Sequence, residues 1–458
     1  MNHTIVSHTG SSRLIIFFAG WGMDHTPFRN MRYPGYDVAV VWNYSESGFT
    51  SDFWRGYSEI CILAWSYGVY YAGRFIENHP ELPVTARVAV NGTLYPVDKE
   101  KGIPAQIFNA TLSALSEQNV KKFYRRMCGS SVAYESFMDN SPGRSVESLA
   151  AELTAIGEDF SIYGAPQCRW DKAYISADDR IFPPEAQFAA WNEMAETITL
   201  PGAHLPDFSR ILEESFILKD GVSDAFARSA GTYSENAPAQ YFVAQHLASI
   251  IKREAPLSGN VVEIGCGSGF LTRLIAPLLT DTASLTLIDV SPIDSSLPGK
   301  HIREDAETYM FQIKESSLSA ILSASAVQWF NSPATFLRNA LRVLVPGGIL
   351  AVAVYADTTF NEIPELKSPS KVFSIESLKS IIPHGFEVDV CDAGEYVQEF
   401  EASIDVLRHF RLTGVAPVSP SDDSPVLARK ILRSNITSLS YNPLFLLLTK
   451  KKYCNFVD

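Results

Sequence analysis

Two short stretches of the 458-residue chain carry residue types that could do chemistry. The first is Ala64-Trp65-Ser66-Tyr67-Gly68. A serine hydroxyl can serve as a nucleophile on a sharp strand-to-helix turn, where small residues two before and two after it let neighbouring backbone approach. Ala64 and Gly68 are small enough, although the usual pattern has Gly at both places. The plainer reading is an ordinary turn with a capping Ser. The second stretch is Glu263-Ile264-Gly265-Cys266-Gly267-Ser268-Gly269. Glycines let backbone come close to a ligand. The spacing is GxGxG rather than the GxGxxG of dinucleotide sites. An acidic Glu263 beside such a turn suits a positively charged ligand better than a pyrophosphate.

The elements that position these residues can be read from the flanking pattern. EICIL precedes the serine and NVV precedes the glycines, each a short apolar run followed by a helical pattern. Strand, tight turn and helix in succession are the grammar of α/β folds, whose ligands sit at the carboxyl ends of strands. Two such centres, far apart in the chain, predict two α/β domains. The helix-like DFSRILEESFIL gives way near residues 214–222 to LKDGVSD, which reads as a turn. The division expected is therefore 1–215 and 216–458.

Composition narrows the function classes. Lys+Arg total 38 against Asp+Glu 51, a net charge of −13, so the acidic chain is expected to bind neither nucleic acid nor membrane, which need a basic face. With 46% hydrophobic and 19% charged residues it reads as globular. The six Cys (61, 128, 168, 266, 391, 454) are scattered, with no CxxC pair, so no metal site is expected. Scattered Cys, no Lys before the first apolar run and no membrane-length apolar stretch point to a cytoplasmic protein.

Three further segments bear on Ser66. RLIIFFAGWGMD (13–24) is an apolar run ending in a Gly-containing loop. DKAYISADDRIFPP (171–184) reads as strand, acidic turn and Pro, with Asp179 in register and Asp178 as the other candidate. ITLPGAHLPDF (198–208) puts His204 in a turn after a short strand. The order Ser66, Asp179, His204 resembles that of α/β-hydrolases. That resemblance implies a catalytic triad, with the backbone N–H groups of Trp21 and Tyr67 as oxyanion donors. FFAGWGMD, AWSYG and GAHLPDF resemble more specifically the BioG-type esterases, which demethylate pimeloyl-acyl-carrier-protein methyl ester in biotin synthesis. The resemblance covers most of residues 1–215 and implies a lid over about 95–165. Within it, Lys121, Lys122, Arg125 and Arg126 form the densest basic run. It reads either as a solvated helix face or as a dock for an acidic acyl carrier protein, steered by charge.

The second half resembles class I methyltransferases, a Rossmann-like fold using S-adenosylmethionine. The resemblance implies cofactor contacts from Glu263, Gly265, Gly267 and Gly269. It also implies Asp289 for the ribose hydroxyls, and Asp305 with Ala306 for the adenine. Phe226-Ala227-Arg228-Ser229-Ala230, with Tyr233 and Gln240 beyond it, SASAVQWF (323–330) and the run Val406 to Val415 are similar to the BioC type, which methylates the carboxylate of malonyl-acyl-carrier protein. Tyr233 and Gln240 are then expected to close the cofactor pocket, and Arg408 and Arg411 to orient the malonyl carboxylate. The chain reads as a bifunctional enzyme. Two alternatives stand beside it: a small-molecule methyltransferase joined to an unrelated carboxylesterase, or one joined to a non-catalytic hydrolase-like docking domain.

Overall fold

The computed structural model describes residues 1–46, 48, 52–254, 257–363, 366, 374–415 and 424–452. The chain divides into two compact units, Met1–Ser215 and Phe216–Asp458.

In the first unit the strands are β1 (Asn2–Ser7), β2 (Arg13–Phe18), β3 (Asp37–Trp42), β4 (Glu59–Trp65), β5 (Val84–Val90), β6 (Lys172–Ser176) and β7 (Glu196–Leu200). They form one sheet in the order β1-β3-β2-β4-β5-β6-β7. β1 runs antiparallel to β3, and the other neighbours are parallel. Parallel strands covered on both faces need continuous apolar runs, and every residue of β4 is buried. The helices are α1 (Gly68–Asn78), α2 (Ala105–Ser113), α3 (Glu117–Cys128), α4 (Ser131–Met138), α5 (Val146–Tyr163), α6 (Pro184–Trp191) and α7 (Phe208–Ser215). Four of them, α2 to α5, make up the excursion between β5 and β6. Serines start three of these: Ser116, Ser130 and Ser145 each accept the backbone N–H three residues on. Gly129, at φ +75°, ends α3.

The second unit opens with α8 (Lys219–Asn236) and α9 (Pro238–Glu254). There follow β8 (Asn260–Ile264), α10 (Phe270–Ile275), β9 (Ser284–Asp289), β10 (Lys300–Arg303), α11 (Ala306–Gln312), β11 (Leu318–Ala324), α12 (Pro333–Val343) and β12 (Leu344–Tyr355). The remainder is α13 (Ile375–Ser380), β13 (Phe386–Ala393), β14 (Tyr396–Glu399), α14 (Ser403–Thr413), α15 (Ser424–Arg433), β15 (Ser438–Tyr441) and β16 (Pro443–Lys450). The main sheet runs β10-β9-β8-β11-β12-β16-β13, with β16 antiparallel to both neighbours. Strand order reverses between β8 and β11, which opens a crevice at their carboxyl ends.

One expectation fails here. LKDGVSD, read as a turn, lies largely inside α8. Gly221 costs a helix about 1 kcal/mol relative to Ala. Two anchors offset it: Val222 is buried, and the Lys219 ammonium is held by two carboxylates.

Among the described residues no helix is long and apolar enough to cross a membrane. Nor does any group of three or more His, Cys, Asp or Glu among them have the arrangement to hold a metal. Cys61, Cys128, Cys168, Cys266 and Cys391 are free, and Cys454 lies outside the described residues.

Candidate active sites

Ser66 follows β4 directly and stands at φ +58°, a left-handed conformation that non-glycine residues rarely adopt. The crowding around it accounts for its small neighbours. A Cβ on Gly20 would lie 3.0 Å from the Ser66 Cβ, and one on Gly68 would lie 2.3 Å from the Phe18 carbonyl oxygen. The Ser66 Oγ lies 2.9 Å from Nε2 of His204, whose Nδ1 lies 2.8 Å from Oδ2 of Asp179. All three residues are buried. Asp178, the other candidate, is exposed, and its carboxylate does not meet the imidazole.

The imidazole and its acid are held from several sides. Oδ1 of Asp179 accepts the N–H groups of Ile181 and Phe182, and Oδ2 accepts the Gln187 side-chain amide at 3.0 Å. The His204 carbonyl accepts both the Trp65 indole and the Asn91 amide, each at 2.9 Å. Neither Gln187 nor Asn91 is signalled by the sequence: Asn91 meets His204 only through the folded sheet, and Gln187 meets Asp179 where α6 folds back on the loop after β6.

Gly20-Trp21-Gly22 leaves the end of β2 beside Ser66. No described residue accepts a hydrogen bond from the backbone N–H of Trp21 or of Tyr67. Both residues are themselves buried. Lys121, Lys122, Arg125 and Arg126 are exposed on α3, whose other face buries Val120, Tyr124 and Met127. The carbonyl of Met127 accepts the N–H of Leu205 at 3.0 Å, so this helix ends against the loop that carries His204.

In the second unit a cavity of about 470 Å³ opens at the carboxyl ends of β8, β9 and β11. That volume suits a small-molecule ligand, roughly 300–1,000 Å³. Glu263, Gly265, Gly267, Asp289, Asp305, Ala306, Tyr233 and Gln240 all line it. Gly265, at φ +66°, passes so close to Ala326 that a Cβ would sit 2.3 Å from that residue's Cβ. Asp289 clamps the glycine turn: its Oδ2 accepts the Gly267 N–H and its Oδ1 the Ser291 N–H, each at 2.8 Å.

Three of the expected residues lie outside this lining. Gly269 does not line the cavity; its φ of +79° caps α10, and a Cβ would collide with Leu297. Arg408 and Arg411 do not line it either. They project from the exposed face of α14, where Arg408 pairs with Asp405, while Val406, His409, Phe410 and Thr413 face inward. His409 is a core residue: its Nε2 lies 2.5 Å from the Tyr441 hydroxyl, and burial lowers its pKa to about 4.

The cations that do line the cavity are Lys219 and Arg273. The Lys219 ammonium donates to Asp305 at 2.8 Å and to Glu307 at 2.7 Å. Glu307 also accepts the backbone N–H groups of Asn331 and Ser332, each at 2.8 Å. One buried carboxylate thus ties α8 to the loop after β11. A Lys in a segment read as a turn gave no signal of this.

Burial, reinforced by Asp289, pushes the Glu263 carboxyl up to about 8. Burial raises Asp289 as well. Glu263 Oε2, Ser268 Oγ, Ser291 Oγ and the Trp329 indole N–H are buried with no protein partner among the described residues, and all four residues line the cavity. Unpartnered buried polar atoms are costly. Two high-lying carboxyls and several unpartnered polar atoms around one cavity fit a ligand that brings positive charge and hydrogen-bonding groups. S-adenosylmethionine meets that description.

The reversed strand order, the glycine turn and this cavity define an α/β protein with a Rossmann-like methyltransferase fold in its C-terminal region. Residues 262–352 match the methyltransferase domain model, and residues 1–213 match the model of the pimeloyl-ACP methyl esterase BioG. A malonyl-[acyl-carrier protein] O-methyltransferase of Bacteroides fragilis is 33% identical over 420 residues, which cover 88% of this chain and 84% of that one. The chain belongs to the malonyl-[acyl-carrier protein] O-methyltransferase family. The Haemophilus influenzae protein of the same name is 25% identical over 245 residues, 50% of this chain and 93% of its own. The crystal structure of BioG from Haemophilus influenzae is 29% identical, covering 46% of this chain and 96% of its own, with a TM-score of 0.43.

Proposed function

We propose that this is a bifunctional enzyme of biotin synthesis. Residues 216–458 methylate the free carboxylate of malonyl-acyl-carrier protein. Residues 1–215, as an α/β-hydrolase with α2 to α5 as its lid, hydrolyse pimeloyl-acyl-carrier-protein methyl ester. The observation that carries the reading is the unbroken hydrogen-bond chain Ser66–His204–Asp179, on one polypeptide with a glycine-turn cavity lined by carboxylates.

In the esterase step His204 takes the Ser66 proton as Oγ bonds to the ester carbonyl carbon. The carbonyl electron pair moves onto oxygen, where the Trp21 and Tyr67 N–H groups receive it. The carbonyl then re-forms, and methanol leaves with the proton from His204. Water, deprotonated by His204, attacks the acyl-serine; the acid departs and Ser66 recovers its proton. Asp179 keeps the imidazole in the tautomer that this sequence needs.

S-adenosylmethionine supplies an electrophilic methyl group. Glu263 would set negative charge opposite the cationic ligand, Asp289 would take the ribose hydroxyls, Gly265 and Gly267 would bring backbone to it, and Asp305 would hold the adenine. The malonyl carboxylate is already ionised at neutral pH, so the chain needs no base there. Its task is positioning. The basic face of α3 suits an acidic carrier protein, delivered beside the His204 loop.

The two reactions are opposite in sense. Methylation hides a charge that apolar chain-elongation pockets would bury only at high cost, and hydrolysis restores it. The test is a pair of variants in the full chain. Ser66→Ala is expected to end methanol release from the pimeloyl ester while methyl transfer to malonyl-acyl-carrier protein continues; Asp289→Ala is expected to do the reverse. Hydrolysis by the Ser66→Ala protein, or loss of both activities in either folded variant, overturns the reading.

A further inference from the structure

We infer that Glu152, on the helical excursion, is a positioning residue of the esterase centre that sets the backbone of the loop carrying the Trp21 N–H. The inference rests on the esterase reading above.

The Glu152 carboxylate is fully buried. Its Oε2 accepts the Gly22 N–H at 3.1 Å, and its Oε1 accepts the Tyr44 N–H at 3.0 Å. Gly22 leaves the end of β2 and Tyr44 the end of the adjacent β3, so one side chain from outside the sheet clamps both loops. Arg144 neutralises it at 3.0 Å, and the same guanidinium donates to the Met23 carbonyl and the Asn43 side chain. Two more contacts come from the same excursion: the Trp21 indole donates to the Leu149 carbonyl at 2.9 Å, and the Tyr124 hydroxyl donates to the Gly22 carbonyl at 3.2 Å.

These bonds bear on the Trp21 N–H through its neighbours. The peptide after Trp21 is tied to Glu152, and its ring is tied to Leu149. Rotating the peptide between Gly20 and Trp21 would strain one or the other. Asn43 (φ +57°) holds a left-handed conformation uncommon outside glycine, and the Arg144 guanidinium bonds its side chain from the excursion. An oxyanion donor works only when it is already aimed. The excursion therefore supplies part of the aim, besides covering the site.

The experiment uses the full chain. Glu152→Gln keeps the size of the side chain but loses the charge and can face only one of the two N–H groups with an acceptor. Removing an oxyanion donor costs about 10²–10³ in kcat. The expected result is a fall of about 10²-fold in kcat for methyl-ester hydrolysis, with KM within about threefold and methyl transfer unchanged. Wild-type kcat, or a loss confined to KM, overturns the inference. Should Glu152→Gln fail to fold, Arg144→Lys keeps the charge but gives up the fork to Met23 and Asn43. It is expected to lose about tenfold in kcat at constant KM, and wild-type kcat in that folded variant also overturns the inference. If the wild-type chain hydrolyses no ester and a fluorophosphonate probe leaves Ser66 unlabelled, the esterase reading itself has failed, an outcome distinct from those above.

Discussion

Gly92 stands so close to Ser66 that a Cβ on it would lie 2.2 Å from the Ser66 carbonyl oxygen. Even one methyl group has no space there, because what it meets is backbone. Gly92→Ala is expected to push the nucleophile turn out of register. Overpacking of this kind costs roughly 1–3 kcal/mol. The melting temperature of the first unit should fall and methyl-ester hydrolysis should drop by more than tenfold, with methyl transfer intact. A variant with wild-type hydrolysis would mean that the turn has room to shift.

Gln187 orients the acid rather than the nucleophile. Its side-chain amide donates to Asp179 Oδ2 at 3.0 Å and to the Phe182 carbonyl at 2.8 Å. Gln187→Met keeps the bulk and removes both bonds. A bond to a charged group contributes about 1.5–3 kcal/mol. We expect kcat for hydrolysis to fall roughly tenfold, while Gln187→Glu, which sets a second carboxylate against Asp179, falls further and shifts the pH profile. Equal activity in all three proteins would show that Asp179 is fixed by its two backbone donors alone.

Lys219 is held between Asp305 and Glu307. Lys219→Met leaves those carboxylates without their shared cation, and breaking a buried pair costs about 3–5 kcal/mol. The second unit should melt earlier and lose affinity for S-adenosylmethionine in calorimetry. Ester hydrolysis is the internal control. Undiminished affinity would exclude Lys219 as a support for the cavity.

Glu263 gives a pH dependence with a definite sign. Its carboxyl is pushed up to about 8 by burial, whereas in the unfolded chain it titrates near 4.3. The folded state therefore holds a proton that the unfolded state lacks between these values, so this group's contribution to stability falls as pH rises through that window. A cationic ligand favours the ionised form, so binding at pH 7 should release a proton. Calorimetry in buffers of different ionisation enthalpy reads that proton directly. Glu263→Gln should flatten both effects, and a proton release unchanged in that variant would rule Glu263 out as its source.

Ser66, the glycine turn and Asp289 were legible in the sequence because each sits at the end of an apolar run, where a local pattern announces strand, turn and helix. By itself the sequence determined the α/β class, the two centres and the residue types brought to each. Tertiary structure alone decided what holds those residues in place. Glu152 reaches Gly22 across 130 residues, Asn91 reaches His204 across 113, and Lys219 reaches Glu307 across 88. Tertiary structure also turned Arg408 and Arg411 outward and chose Asp179 over its neighbour. The physical reason is common to all of these. Periodicity and turn chemistry are local, whereas a buried charge or amide finds its partner only after distant strands have been laid side by side, and its cost while unpartnered is what fixes the geometry.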